Sequence, residues 1–307
     1  MTVTTMLHNL GSINLDHVYR VPHLVAPGET LASREYRVGL GGKGANQSLA
    51  MALAGGEVAH WGRLGRQDAW AREILARAGV DVSSLALVDE PSGHAIIQVD
   101  DLGENAILLF AGANHGFQPE AIEASLDTTR PGDWLLAQNE CNGLVEIMEG
   151  AHRRGVSIAF NPAPMTDSVA SLPLTHCRLL FVNRSEAARL GDVEPSASAE
   201  TLLDALAAKL TDVETVLTLG GEGAWYQHGS ERFHQAALAV EPVDTTGAGD
   251  TFIGYYLAAL QAGLPVPDCL ARATMAAALC VQHPGAADSI PRRDTVESLL
   301  AKHRPPS

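Results

Sequence analysis

The chain has 307 residues, enough for one large α/β domain or two modest ones, and 46% of them are hydrophobic, which supplies a substantial core and argues against disorder. Lysine and arginine number 21 against 36 aspartates and glutamates, a formal charge of −15. That balance excludes a nucleic-acid or anionic-membrane binder built on a basic face, but not a phosphate ligand, because backbone donors act locally.

At the N-terminus there is no cationic segment followed by an apolar run, so no signal peptide is expected, and no stretch of about 18 apolar residues offers a membrane span. Residues 6–11 begin as a short strand and lead into Ser12-Ile13-Asn14-Leu15-Asp16. Asn14 and Asp16 share one face of an extended segment, a pair suited to hydrogen-bonding a polyol or to forming a polar turn. Residues 18–38 hold short β-like pieces broken by Pro22, Pro27 and Gly28. Gly39, Gly41 and Gly44 then satisfy GxGxxG literally. The dinucleotide fingerprint, however, follows a strand of a parallel core, and residues 31–38 are polar at alternate positions, like one side of an exposed sheet. No GxxxxGK[ST] pattern occurs. The run reads as a glycine turn opening a helix over 45–54, with the Gly42 backbone, Lys43 and Asn46 presented to a polar ligand.

Residues 58–62 read as a strand and 68–78 as a helix with Trp70, Ile74 and Leu75 inward. Two β runs, 95–99 and 106–110, flank a hairpin-like turn. With 18–38 they predict a small separate sheet, a flap over about 14–39 and 93–111 that covers a substrate and excludes water. From Trp134 onward strands and helices alternate: strands at 134–137, 156–160, 179–182 and 215–219, helices at 142–153 and 199–210. Such alternation predicts a mostly parallel sheet with helices on both faces and a ligand site at the carboxyl ends of the strands. Glu140, Asn183 and Glu186 fall at those ends.

Residues 236–243 are mostly apolar and read as extended. Asp244-Thr245-Thr246-Gly247-Ala248-Gly249-Asp250 follows, and then Phe252, Ile253, Tyr256, Leu257 and Leu260 at helical spacing. Strand, glycine turn, helix makes an anion cradle: glycines permit a tight turn, and the helix start adds unpaired N–H groups and a positive dipole end. Asp250 places a carboxylate at the same spot, which serves as a base or simply as a cap. A cradle beside a base is what phosphoryl transfer to a hydroxyl requires. An alanine-rich helix over 268–282 and a polar helix in 292–307 complete the chain. Cys141, Cys177, Cys269 and Cys280 form no CxxC pair, and the 12 histidines no HExxH or HxH set; the cysteines read as buried thiols in a reducing cytosol.

Asp-Thr-Thr-Gly-Ala-Gly-Asp-Thr-Phe resembles the C-terminal signature of the ribokinase-like (PfkB-type) carbohydrate kinases, and Gly-Gly-Lys-Gly-Ala-Asn-Gln the N-terminal signature of the ribokinases within them. The resemblance runs from Asn14 to about Pro291. It implies one 1–307 kinase domain of three-layer α/β/α architecture, a mostly parallel central sheet and a small β-sheet lid. It implies MgATP-dependent phosphorylation of D-ribose at O5 in the cytoplasm, with Asp250 as base and Gly247, Ala248 and Gly249 as the anion hole. Sugar ligands would be Asn14, Asp16, Gly42, Lys43, Asn46, Glu140 and Asp250. Asn183 and Glu186 match the NxxE motif that supports Mg²⁺ and phosphate, while Thr218, Gly220 and Gly223 match the nucleotide loop. Asp244, Thr246, Cys280, His283, Gly285 and Ser289 match a monovalent-cation site, usually K⁺. A homodimer through the lid sheets is expected. Departures occur at Thr274, near the adenine, and at His94, His115 and the Gln138–Cys141 flank of Glu140. They keep deoxyribose, fructose, ketodeoxygluconate or a nucleoside open as acceptor. A catalytically inactive sugar-binding sensor and, from GxGxxG alone, a dinucleotide oxidoreductase are the remaining alternatives.

Overall fold

Alternate residues of each central strand feed two different cores, and this layering organises the molecule. In a computed structural model that describes residues 5–303, the elements in chain order are β1 (Leu7–Leu10), β2 (Asn14–Arg20), β3 (Glu35–Gly41), α1 (Lys43–Leu53), β4 (Val58–Gly65), α2 (Ala69–Arg77), β5 (Leu85–Val88), β6 (Gly93–Val99), β7 (Asn105–Phe110) and α3 (Pro119–Leu126). They continue with β8 (Trp134–Gln138), α4 (Leu144–Arg153), β9 (Ser157–Asn161), β10 (Leu179–Asn183), α5 (Arg184–Gly191), α6 (Ala199–Lys209), β11 (Glu214–Thr218), β12 (Ala224–His228), β13 (Glu231–Gln235), α7 (Ala248–Gln261), α8 (Val266–Cys280) and α9 (Arg293–His303). Residues 304–307 of the expected C-terminal segment lie outside the described residues.

The large sheet has the order β13-β12-β11-β10-β9-β8-β1-β4-β5. All its pairs are parallel except those that join β12 to β11 and to β13. Trp134, Leu136, Leu179 and Phe181 pack with α1, α2, α7 and α8, while Leu135, Ala137, Leu180 and Val182 pack with α3, α4, α5 and α6. A strand covered on both faces must be apolar throughout, which is why these runs carry no alternation. The small sheet, order β3-β2-β6-β7, is mixed: β2 runs antiparallel to β3 and parallel to β6, and β7 antiparallel to β6. Among the described residues no helix is long and apolar enough to cross a membrane.

Three local expectations are corrected. Residues 236–243 join no sheet; their apolar side chains wall a cavity instead. Gly39 and Gly41 belong to β3, so only Gly42, at φ +90°, makes the turn into α1. Because β3 is antiparallel to β2 in the small sheet, the GxGxxG match lies outside any βαβ unit. Trp70 is exposed, and α2 buries Ala71 and Leu75. The hairpin β12–β13 and the elements β5, α3 and α5 were not read from the pattern.

Helix α1 is pulled against the end of β1 by a glycine pair. A Cβ on Gly44 would stand 2.2 Å from the Gly11 Cα, and one on Gly11 2.6 Å from the Gly44 Cα. Gly44→Ala is therefore expected to overpack this contact and destabilise the fold by about 1–3 kcal/mol. A urea melt checks it; an unchanged midpoint would mean the contact relaxes freely.

Candidate active site

The strand order reverses between β1 and β8, and their carboxyl ends open the crevice where such sheets bind ligands. Ser12, just past β1, donates its hydroxyl to Oε2 of Glu140, just past β8. The same oxygen accepts the Lys43 N–H at 3.1 Å, and the Ser12 carbonyl accepts the Ala45 N–H at 2.8 Å. One carboxylate thus ties the N-terminus of α1 to both central strands. Burial pushes the Glu140 pKa up, against the pull of its Ser12 and Lys43 partners.

Three of the expected sugar-side groups surround this point. Asn14 and Asp16 stand on β2; the Asn14 Oδ1 accepts the Asn114 amide at 2.8 Å, and Asn114 also bonds both the N–H and the carbonyl of Ile13. Burial first, then the Glu140 charge, raises the Asp16 pKa from 3.8 to about 6, with Arg37 acting in the opposite sense. Gly41 is tight against this carboxylate: a Cβ there would lie 2.2 Å from Asp16 Oδ2. Asn46 donates its amide to Asp250 Oδ2 at 3.1 Å, while its own Oδ1 is buried without a partner.

Asp250 sits on the first turn of α7, whose N-cap is Gly247 at φ +77° with no side-chain cap. Thr251 is the first residue whose N–H reaches the Gly247 carbonyl, at 2.8 Å; the Ala248 N–H makes a longer bond to the Thr245 carbonyl, at 3.3 Å, and the N–H groups of Gly249 and Asp250 come before the first helical bond. Two amides hold the carboxylate: Asn46 on Oδ2 and Gln47 on Oδ1 at 2.8 Å. The Asp250 charge, ahead of any other influence, raises the pKa of Lys43 across the crevice. A cavity of about 200 Å³ lies between them, lined by Lys43, Asn183, Glu186, Thr218, Gly247, Gly249 and Asp250. Asn183 and Glu186 form a capping box at the start of α5, with Asn183 Oδ1 accepting the Glu186 N–H and Glu186 Oε2 accepting the Asn183 N–H, both at 2.9 Å. Burial pushes the Glu186 pKa up.

A second cavity of about 310 Å³ adjoins the first and shares Thr218, Thr245 and Gly249 with it. Gly220 and Gly223 form one rim, Leu238, Val240 and Pro242 one wall, and Phe252, Thr274 and Ala277 the opposite wall. The Thr274 hydroxyl is buried there without a partner. It is a largely apolar cavity that reaches the start of α7 at Ala248 and Gly249.

Beside the cradle, Asp244 joins the chain before α7 to the turn after α8: its Oδ1 accepts the Thr246 N–H at 2.9 Å and its Oδ2 the Gly285 N–H at 2.8 Å. Partial burial pushes its pKa up, but these bonds prevail and hold it below the ordinary value. Cys280 is buried against Ser289 Oγ, 3.0 Å from its sulfur, and accepts the Thr251 hydroxyl at 3.3 Å. Five of the six expected cation residues are thus in one cluster, while His283 is exposed in the intervening turn. Among the described residues no group of three or more His, Cys, Asp or Glu side chains is suited to a metal ion.

A model of the pfkB family carbohydrate kinases matches residues 4–293. The chain belongs to that family. It is 36% identical over 304 residues to a ribokinase of Schizosaccharomyces pombe, covering 92% of this chain and 93% of that one. Among solved structures, a ribokinase from Cryptococcus neoformans var. grubii in complex with ADP is similar at a TM-score of 0.82 and 34% identity, covering 97% of this chain and all of that one. An Arabidopsis thaliana ribokinase complexed with ribose and ATP matches at a TM-score of 0.82 and 27% identity, covering 97% and 99%.

Several residues of this kinase's site escaped the pattern. Ser12 and Asn161 are not marked by local pattern as site residues, because their partners are 20 to 128 positions away. Gln47 and Gln138 lay in runs already singled out, but their role depends on tertiary contacts.

The raised Asp16 carboxyl has a consequence for stability. An acid held at about 6 in the fold against 3.8 ordinarily costs roughly 3 kcal/mol when ionised, since the fold binds the proton more tightly than the unfolded chain does. Asp16→Asn removes that cost. It is expected to raise the unligated protein's stability at pH 8, the gain shrinking as the pH falls through 6 and vanishing near 4. Thermal melts across that range check it; a gain independent of pH would contradict the burial argument.

Proposed function

We propose that this kinase transfers the γ-phosphoryl group of ATP to O5 of D-ribose, giving ribose 5-phosphate and ADP, by in-line displacement with Asp250 as base. The observation that carries the reading is the position of Asp250. Its carboxylate is fixed by two amides on the first turn of a glycine-capped helix, where two cavities meet. The ribokinases of 34–36% identity and the ribose-bound relative support ribose as acceptor.

In this reading Asn14, Asp16, Glu140, Asn46, Lys43 and the Gly42 backbone hold the sugar. The unpartnered Asn46 Oδ1 and the buried Asp16 carboxylate are acceptors that sugar hydroxyls would satisfy. Asp250 takes the O5 proton as the O5–Pγ bond forms and the bond from Pγ to the β-phosphate oxygen breaks. The N–H groups at Gly247, Ala248 and Gly249, with the α7 dipole, stabilise the charge on the transferring group. The slot between Leu238 and Thr274 takes the adenine, Thr274 offering its free hydroxyl, and Thr218, Gly220 and Gly223 border the ribose and phosphates of the nucleotide. Mg²⁺ bound with ATP would neutralise the β- and γ-phosphates, held through water near Asn183 and Glu186. K⁺ would sit at the Asp244–Thr246 and Cys280–Ser289 cluster, held largely by backbone carbonyls, and would add positive charge beside the cradle.

The sequence departures do not crowd the sugar groups. Gln138 bonds Asn9 and Gln47, Asn139 bonds the Pro164 carbonyl and Thr166, and His94 packs against Phe110 on the small sheet. That placement favours ribose over a changed acceptor.

The small sheet serves as the lid of one 1–307 kinase unit, and its outward face as a dimer interface. Val38, His17, Ile96 and Leu108 fall in one cross-strand row, with Leu108 67% exposed. The four cysteines are free and buried, in keeping with a cytoplasmic protein.

Asp250→Asn should lower kcat by at least about 1,000-fold while ATP binding stays within a few-fold, since the base is lost and the cradle kept. ADP release measured with MgATP and K⁺ across ribose, deoxyribose, fructose, ketodeoxygluconate and nucleosides tests both acceptor and base; unchanged turnover in the variant would overturn the assignment. Leu108→Glu should shift the protein from dimer to monomer by light scattering; a dimer that persists would place the interface elsewhere.

A further inference from the structure

Behind Asp250 lies a chain of buried polar groups that the mechanism above does not use. Gln47 Nε2 donates to Asp250 Oδ1 at 2.8 Å. Gln47 Oε1 accepts from Gln138 Nε2, also at 2.8 Å, and Gln138 Nε2 donates as well to Asn9 Oδ1 at 3.0 Å. Asn9 Nδ2 in turn donates to the Gly44 carbonyl at 2.9 Å and to Ser48 Oγ at 2.8 Å. The Ser48 hydroxyl faces His60 Nδ1 at 2.8 Å, and His60 Nε2 faces the Gly11 carbonyl at 3.1 Å. Asn9, Gln47, Ser48 and His60 are fully buried, and Gln138 is 1% exposed.

The polarity of this chain is forced. The Gly11 carbonyl only accepts, so His60 carries its proton on Nε2 and its Nδ1 accepts from Ser48. Burial holds His60 neutral, its pKa pushed down to about 4. The Ser48 oxygen then accepts from Asn9, so the Asn9 carbonyl oxygen faces Gln138. Gln138 donates to Gln47, so the Gln47 amide can only turn its NH₂ toward Asp250. A flipped Gln47 would set its carbonyl oxygen against the carboxylate and its NH₂ against that of Gln138, two buried repulsions at once.

We infer that Gln47 is the positioning residue of the base, and that Gln138 acts through it by fixing the direction of its amide. The carboxylate is thereby aimed from behind by Gln47 and from the side by Asn46. It keeps a single orientation toward the cradle before any sugar arrives. Loose aim at a reacting centre costs rate far more than binding. The inference rests on Asp250 as base and survives a different acceptor sugar.

The test is steady-state kinetics of Gln47→Leu, Gln47→Glu, Gln138→Leu and the Gln47→Leu/Gln138→Leu double variant, each first shown by a thermal melt to fold. Gln47→Met replaces Gln47→Leu if the latter does not. Gln47→Leu is expected to lose about 10–100-fold in kcat with sugar and ATP KM within about 3-fold. Gln47→Glu keeps the shape and the acceptor for Gln138 but turns a carboxylate toward the base, so it should turn over more slowly than Gln47→Leu. Gln138→Leu should lose less than Gln47→Leu, and the double variant no more than Gln47→Leu alone. A purely structural role predicts the reverse: the near-isostere Gln47→Glu milder than Gln47→Leu, or losses that multiply in the double variant, or KM changed with kcat intact. Any of these overturns the inference. The parent is run on the same sugar panel, and the series uses its best acceptor. Absence of ribose turnover therefore counts against the acceptor reading and leaves the positioning claim to its own result.

Discussion

Four carboxylates converge on one crevice: Asp16, Glu140, Glu186 and Asp250, with Lys43 as the half-buried cation among them. Burial raises the pKa of Asp16, Glu140 and Glu186, so the unligated protein carries a real electrostatic cost at neutral pH. The fold offsets part of it with N–H groups rather than with more cations. Glu140 faces the first turn of α1, Asp250 sits in the first turn of α7, and Glu186 caps α5. Three helix N-termini pointing into one crevice supply positive potential without bulky side chains, which leaves room for an anionic ligand. A chain with a net charge of −15 can hold phosphate there because the relevant field is local.

Everything in that arrangement depends on how closely α1 approaches β1. The Gly11–Gly44 contact lets the helix start beneath the strand end, and Ser12 and Glu140 then lock it. From this one docking follow the position of Lys43, the reach of Asn46 and Gln47 to Asp250, and the departure of β2 toward the small sheet. The same helix therefore touches Glu140, Asp250 and β3, and a shift in it would disturb all three.

On one face of the small sheet Asp16 and Arg37 share the surface with apolar Ile97, Ile107 and Leu109, the last two more than half exposed. Asp16, next to Gly41 and facing Arg37, belongs to the crevice. The other face carries His17, Tyr36, Val38, Ile96 and Leu108, largely exposed. In the proposed reading a second copy would cover the exposed Val38, Ile96 and Leu108 side chains. That coupling makes lid and dimer one physical problem in the proposed reading.

Much of this was legible in the chain. The βα alternation after Trp134, the split small sheet and the glycine turn at Gly247 all have local causes: buried strands must be apolar, a one-sided sheet alternates, and a tight turn with positive φ favours glycine. The anion cradle and Asp250 came from ten contiguous residues. Where local pattern failed, the cause was a long-range partner. Residues 236–243 are apolar because they line a slot against Phe252 and Ala277, not because they pair in a sheet. Trp70 shares a helix side with Ile74 by spacing, yet only Ile74, one turn further on, reaches the core. Ser12, Gln47 and Gln138 stand in or beside runs with a local signal, but their roles rest on bonds that cross 91 to 203 positions. The sequence by itself determined the alternating elements after Trp134 and the glycine turn at Gly247, since those follow from side-chain periodicity and backbone freedom within a few residues. Only the tertiary structure decided which polar groups face the base and in which direction each amide points, because a buried hydrogen bond is set by what the fold places opposite it.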